Sequence, residues 1–165
     1  MTQVVQTDTL VPGSEHQLGT IPVLSVSAGN ETYGFPLPAI REILMPPPLT
    51  PVPRAPEHFL GVISVRGQVI TLVDLPKLLR LEVHERQTIG RVLLVDSGEE
   101  LIGVAVDRVV QVSQLRPEQI EYASAMSAEL SEYIVGVARV PSESSTDPEE
   151  MVILIDPGAL LGGLK

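Results

Sequence analysis

A mainly β fold is predicted, and three observations predict it. The chain carries 22 Val and 11 Ile against 9 Ala, and β-branched side chains crowd a helical turn while packing well on a pleated surface. Its 15 Pro and 13 Gly fall between short apolar runs as punctuation. An apolar content of 44% is too high for a chain that cannot collapse.

Taken in order, residues 1–19 are polar and aperiodic, so a flexible tail is expected. A strand is predicted from Ile21 to Ala28, a turn at Gly29-Asn30 and a second strand from Thr32 to Leu37, forming a hairpin. The apolar stretch Ala39 to Met45 ends against Pro46, Pro47 and Pro48, which cannot donate ladder hydrogen bonds. Six of the eleven positions from Pro46 to Pro56 are Pro, so this link reads as extended and stiff. Leu60 to Arg66 and Val69 to Asp74 are strands joined at Gly67-Gln68, where Gly suits a type II′ turn. A short helix follows with Leu75, Leu78 and Leu79 at helical spacing and Asp74 placed to cap it. Leu81 to Thr88 is polar and connects to a second half.

That half opens with strands at Gly90 to Asp96 and Leu101 to Val106 around a turn at Ser97-Gly98. Asp107 to Ser113 is apolar and β-branched, Leu115 to Glu132 reads as irregular, and Tyr133 to Val140 and Met151 to Ile155 are strands. A capped helix begins at Asp156, with Pro157 at its first position, and Gly162-Gly163 reads as its stop.

The halves repeat. Gly34 corresponds to Gly103 and Ile40 to Val109, both 69 residues on; Gly61 corresponds to Gly136, 75 on; Asp74 corresponds to Asp156, 82 on, with Leu78 and Leu79 matching Leu160 and Leu161. The spacing drifts only at loops, as two copies of one β unit would make it. The expected architecture is therefore two similar five-stranded β-barrels side by side with short helices. The first spans residues 20–88, and residues 89–165 form the second together with the C-terminal helix.

Composition narrows the function. Zero Cys removes disulfides, thiolate metal sites and Cys nucleophiles, and three scattered His at 16, 58 and 84 make no metal-binding spacing, so neither metal nor cofactor is expected. A net charge of −10 and 3% aromatic residues oppose nucleic acid as a partner. Residues 90–165 alone carry 13 acidic and 5 basic residues, a solubility field that also shapes partner choice. The opening residues 1–16 show neither a basic n-region nor an apolar h-region, so they do not read as a leader, and no apolar stretch approaches the roughly 18 residues that cross a bilayer. A cytoplasmic protein without direct membrane insertion is expected.

The duplicated Asp74 and Asp156 invite comparison with a carboxylate dyad sharing one proton. Their contexts, Asp74-Leu75-Pro76 and Asp156-Pro157-Gly158, lack a small-residue loop that would expose either group. Helix capping is the simpler role for both. Arg66 sits in an otherwise apolar segment beside a turn. It reads either as a solvated charge or as a fixed guanidinium paired with a carboxylate, and Glu42, the only acid between Ile40 and Leu44, is the candidate partner.

In these segments the sequence resembles the CheW family of bacterial chemotaxis coupling proteins. The stretches concerned are Tyr33-Gly34-Phe35 leading into Ile40-Arg41-Glu42-Ile43, and Gly61-Val62-Ile63-Ser64-Val65-Arg66-Gly67 leading into Leu72-Val73-Asp74-Leu75. In the second half they are Ile102 to Asp107, Pro117-Glu118-Gln119-Ile120, Ile134-Val135-Gly136 and Ile153-Leu154-Ile155-Asp156. The resemblance implies two five-stranded SH3-like β-barrels and no enzymatic activity. It implies an adaptor joining the cytoplasmic tip of a methyl-accepting chemoreceptor to the regulatory domain of a CheA-type histidine kinase. Receptor contact would fall in the groove between the barrels, carried here by Ile40, Glu42, Gly61, Arg66, Gly103 and Val109, and kinase contact would use barrel ends. Ser64, where the family often has Asn, and the three consecutive Pro after Met45 depart from the family pattern. An alternative reading is a detached kinase-type regulatory module that competes for array positions without bridging.

Overall fold

The computed structural model describes residues 19–79, 88–122, 132–142 and 148–162. The expected tail, apart from Gly19, and nearly all of the Leu81 to Thr88 connection lie outside the described residues, as do Gly163 and the side chain of Leu161. Among the described residues eleven strands and two short α-helices follow in order. They are β1 (Ile21–Ala28), β2 (Glu31–Pro36), β3 (Ile40–Leu44), β4 (Phe59–Val65), β5 (Gln68–Asp74), α1 (Leu75–Leu78) and β6 (Arg91–Asp96). Then come β7 (Leu101–Val106), β8 (Arg108–Leu115), β9 (Ile120–Tyr122), β10 (Ile134–Pro141), β11 (Glu149–Ile155) and α2 (Pro157–Gly162). The stretch after Leu115, expected to be irregular, contains a 3-10 turn at Pro117–Gln119 and the strand β9. Three residues are too few for a periodic signal to show in the sequence.

The strands form a five-stranded sheet in the order β3-β6-β7-β5-β4 and a six-stranded sheet in the order β8-β1-β2-β11-β10-β9. The repeat maps one order onto the other, with β9 as the extra strand. The sheets do not follow the division at residue 88, because each first hairpin, β1-β2 or β6-β7, sits in the sheet built by the other repeat. The exchange is made by two parallel joins, Leu72 beside Gly103 and Leu154 beside Gly34. A Cβ on Gly34 would stand 2.7 Å from Val23 and 2.9 Å from Leu154, so these glycines let barrel side chains close over the join. The strand ladders are open, and each sheet rolls towards closure without a hydrogen-bonded ring.

Alternation along the strands then creates three cores. Val23, Val152 and Leu154 fill the six-stranded sheet, and their repeat counterparts Val92, Ile70 and Leu72 fill the five-stranded one. The opposite faces meet in a shared core containing the matched pairs Leu24 and Leu93, Val26 and Val95, Phe35 and Val104, and Val73 and Ile155. Each fully buried aliphatic or aromatic side chain there contributes about 1.5–3 kcal/mol. Two positions break the pattern. Ser25 and Tyr33 are fully buried with hydroxyls that find no hydrogen-bond partner among the described residues, where the other repeat has Leu94 and Ile102. Burial pushes the Tyr33 phenol up, helped by the negative charges of Glu31 and Asp74.

Candidate functional site

Arg66 and Glu42 meet across the five-stranded sheet. Arg66 Nη2 donates to Glu42 Oε1 at 2.6 Å and Nη1 to Oε2 at 3.3 Å, the forked pairing that a planar guanidinium allows. The hydrogen bond, then the charge, pushes the Arg66 guanidinium up; Arg66 in turn holds the Glu42 carboxyl below its ordinary range. Glu42 stands on edge strand β3, and Arg66 follows the opposite edge strand β4. Their bond therefore clasps the seam where the rolled sheet's edges approach. The same place in the other sheet holds Gln111, whose Nε2 donates to the Pro141 carbonyl at 3.0 Å. One seam carries a charged clasp and the other a neutral one.

The turn holding Arg66 differs from expectation. Val65 pairs with Gln68, so the central residues are Arg66 and Gly67, with φ values of 49° and 83°. Positive φ at both positions makes a type I′ turn, whose twist suits the strands better than the predicted II′ turn at Gly67-Gln68. A non-glycine residue in this region costs about 1–2 kcal/mol. The chain tolerates this where the backbone aims the guanidinium at Glu42.

Ile40, the first residue of edge strand β3, and Val109, the second of edge strand β8, pack half-buried on the shared core. Gly61 and Gly103 are buried and present no surface. Gly61 has φ +149°, and a Cβ on it would lie 2.3 Å from the Thr50 carbonyl oxygen, because Thr50 crosses β4 there. Gly136 admits β9 in the same way, its Cβ position lying 2.3 Å from the Glu121 carbonyl oxygen. Gly103 faces Leu72 inside the five-stranded sheet. The structure thus groups Glu42 with Arg66 and sets the two glycines beneath other residues.

Asp74 and Asp156 each serve their own helix. Asp74 Oδ1 accepts from the Lys77 N–H at 3.3 Å, and Asp156 Oδ1 accepts from Gly158 at 3.0 Å and Ala159 at 3.3 Å. Asp74 is buried and Asp156 exposed. Among the described residues no group of three or more His, Asp or Glu is placed to hold a metal ion, and no helix is long and apolar enough to cross a membrane.

One feature of the surface escapes a reading of the sequence. The six-stranded sheet has an open mouth, a cavity of about 80 Å³ lined by Ile21, Val23, Gly34, Pro36, Ile120, Tyr122, Val135, Leu154 and Ile155. In the five-stranded sheet, Leu44, Ile89 and Leu101 pack half-buried on the core. Their counterparts, read off the repeat, are Ser113, Thr20 and Thr32. Thr20 Oγ1 donates to Gln114 and Thr32 Oγ1 to Glu150, so two of the three hold surface hydrogen bonds. These three positions differ in polarity between the repeats but do not line the mouth, whose own residues leave no separate signal in the sequence.

Comparison with known proteins agrees with this geometry. Residues 22–165 match the CheW-like domain family. The chemotaxis protein CheW of Klebsiella aerogenes is 30% identical over 141 residues, covering 84% of this chain and 80% of the relative. Protein PilI of Pseudomonas aeruginosa is 24% identical over 128 residues, 77% of this chain and 72% of that one. The crystal structure of the scaffolding protein TtCheW from Thermoanaerobacter tengcongensis superposes with a TM-score of 0.70 at 23% identity, over 82% of this chain and 88% of that one. This likeness shows the fold of two SH3-like β units. With the family matched over nearly the whole length and a relative at 30% identity, the chain belongs to the CheW-like family.

Proposed function

We propose that this chain is a non-enzymatic adaptor, working in the cytoplasm, that couples the tip of a methyl-accepting chemoreceptor to the regulatory domain of a histidine kinase. The observation that carries the reading is the pair of unlike surfaces on one duplicated frame. The first is the groove between the sheets, flanked by Ile40, Glu42, Arg66 and Val109, which we assign to the receptor. The second is the apolar mouth of the six-stranded sheet, which we assign to the kinase's regulatory domain. A charged clasp selects partner and register, whereas an uncapped apolar mouth gains free energy on burial. Holding both partners raises their effective concentration, and contacts that differ between signalling states by about 1–3 kcal/mol bias the kinase.

The test is a three-component pull-down with the organism's own kinase and receptor fragments. Recovery of both partners on one adaptor supports bridging. If each partner displaces the other, the chain is a competing regulatory module instead.

A further inference from the structure

The Pro-rich strap between β3 and β4 is left without a role by the adaptor reading. From Met45 to Pro56 every residue except Leu49 and Arg54 is either Pro or precedes one. Pro fixes φ near −65°, and the residue before it is driven to extended geometry, so Met45 to Pro48 and Thr50 to Pro53 are biased to polyproline II-like conformation before any partner arrives, and the run ends at Arg54 with its φ of 62°.

The strap is also bolted down. Thr50 N–H donates to the Val62 carbonyl and Val62 N–H to the Thr50 carbonyl, both at 2.9 Å, while Leu49 packs on the core of the five-stranded sheet. Gly61 lacks the Cβ that would block this approach. With three residues per polyproline turn, Met45, Pro48 and Pro51 share one stripe, and all three are exposed, Met45 at 68%. Arg54 ends the stripe. It sits at φ 62° in the turn closed by the Ala55 N–H and Val52 carbonyl, exposed and without an ion pair among the described residues.

We propose that this strap is a preformed docking ligand for a partner domain with an aromatic-lined groove that reads polyproline II, flanked by acidic residues that receive Arg54. Pro rings on a stiff backbone fill such grooves with little ordering cost, and a terminal cation fixes the direction of binding. The corresponding link of the second repeat, with the single Pro117 before β9, has no such stripe. None of the residues of this contact is among those assigned above to the groove or the mouth.

The test titrates the full 15N-labelled chain with a purified SH3 domain of the class that binds proline-rich ligands ending in arginine. Saturable amide shifts are expected at Met45, Leu49, Thr50, Val52 and Arg54. The Pro48→Ala/Pro51→Ala double variant should weaken the affinity at least tenfold, and Arg54→Glu, at an exposed position, should do so without disturbing the fold. No shifts at millimolar probe, or equal affinity in Arg54→Glu and wild type, overturns the proposal. Aggregation of the proline variant with binding retained also overturns it, leaving the strap as a guard on the edge of β4.

Discussion

The two sheets descend from one pattern and differ where they face outward. Their barrel cores and the shared core use matched residues, down to the glycines that admit each exchanged hairpin. The five-stranded sheet has a charged seam and apolar Leu44, Ile89 and Leu101 on its core; the six-stranded sheet has a neutral seam, polar residues at the matching positions and, among the described residues, two buried hydroxyls with no hydrogen-bond partner. The two copies thus diverge at their seams and in the polarity of matched surface positions, while the common core keeps both folded.

The largest expected effect tests whether the crossing glycines are equivalent. Gly61→Val and Gly136→Val should each destabilise by about 3 kcal/mol in urea unfolding, since each Cβ meets backbone rather than a movable side chain. Gly61 should be the costlier because its φ of +149° adds strain. Tolerance of valine at only one of the two would break the correspondence.

Charging the rim of the mouth sharpens the comparison. Tyr122→Glu with Val135→Glu, at two exposed residues that line it, should weaken binding of the kinase's regulatory domain about tenfold, or roughly 1.4 kcal/mol. Receptor binding should be unchanged, and calorimetry against each partner separates the two.

How much of this was legible in the sequence depends on what each feature is made of. The repeat showed because face and burial set residue class, so Val23 and Val92, or Leu72 and Leu154, must be alike. The hairpin exchange did not show. β5 accepts β7 as readily as β2, since both offer a buried apolar strand with Gly at the joining position, and nothing local distinguishes the two pairings. Glu42 was legible as the partner of Arg66 because it is the only acid in its run. Gln111 was not, because an amide meeting a backbone carbonyl leaves no charge signal. The mouth was hidden because Ile21, Val23 and Leu154 look the same in sequence whether capped or open.

Tyr33→Phe removes a buried hydroxyl with no partner among the described residues and brings that position closer to Ile102. It should raise stability by about 1 kcal/mol, read as an increased urea midpoint at unchanged slope. A loss of stability would mean that the hydroxyl is satisfied.

The smallest effects concern the seams. The Glu42 carboxyl is held low by Arg66, so its contribution is present above the ordinary carboxylate range and fades as pH falls through the depressed value. An NMR titration should find Glu42 protonating below a typical glutamate, with the difference shrinking in high salt. Arg66→Ala should return it to the ordinary range, whereas the Gln111 seam should show no pH response. Identical titration in wild type and Arg66→Ala would remove the clasp.

The most direct measurement is kinase activity in assemblies reconstituted from receptor, kinase and this chain, comparing wild type with Arg66→Glu. Reversing the charge at an exposed turn should abolish most receptor-dependent activation while leaving the unfolding midpoint and kinase binding near wild type. Full activation by a folded Arg66→Glu protein would contradict the assignment of receptor contact to this groove.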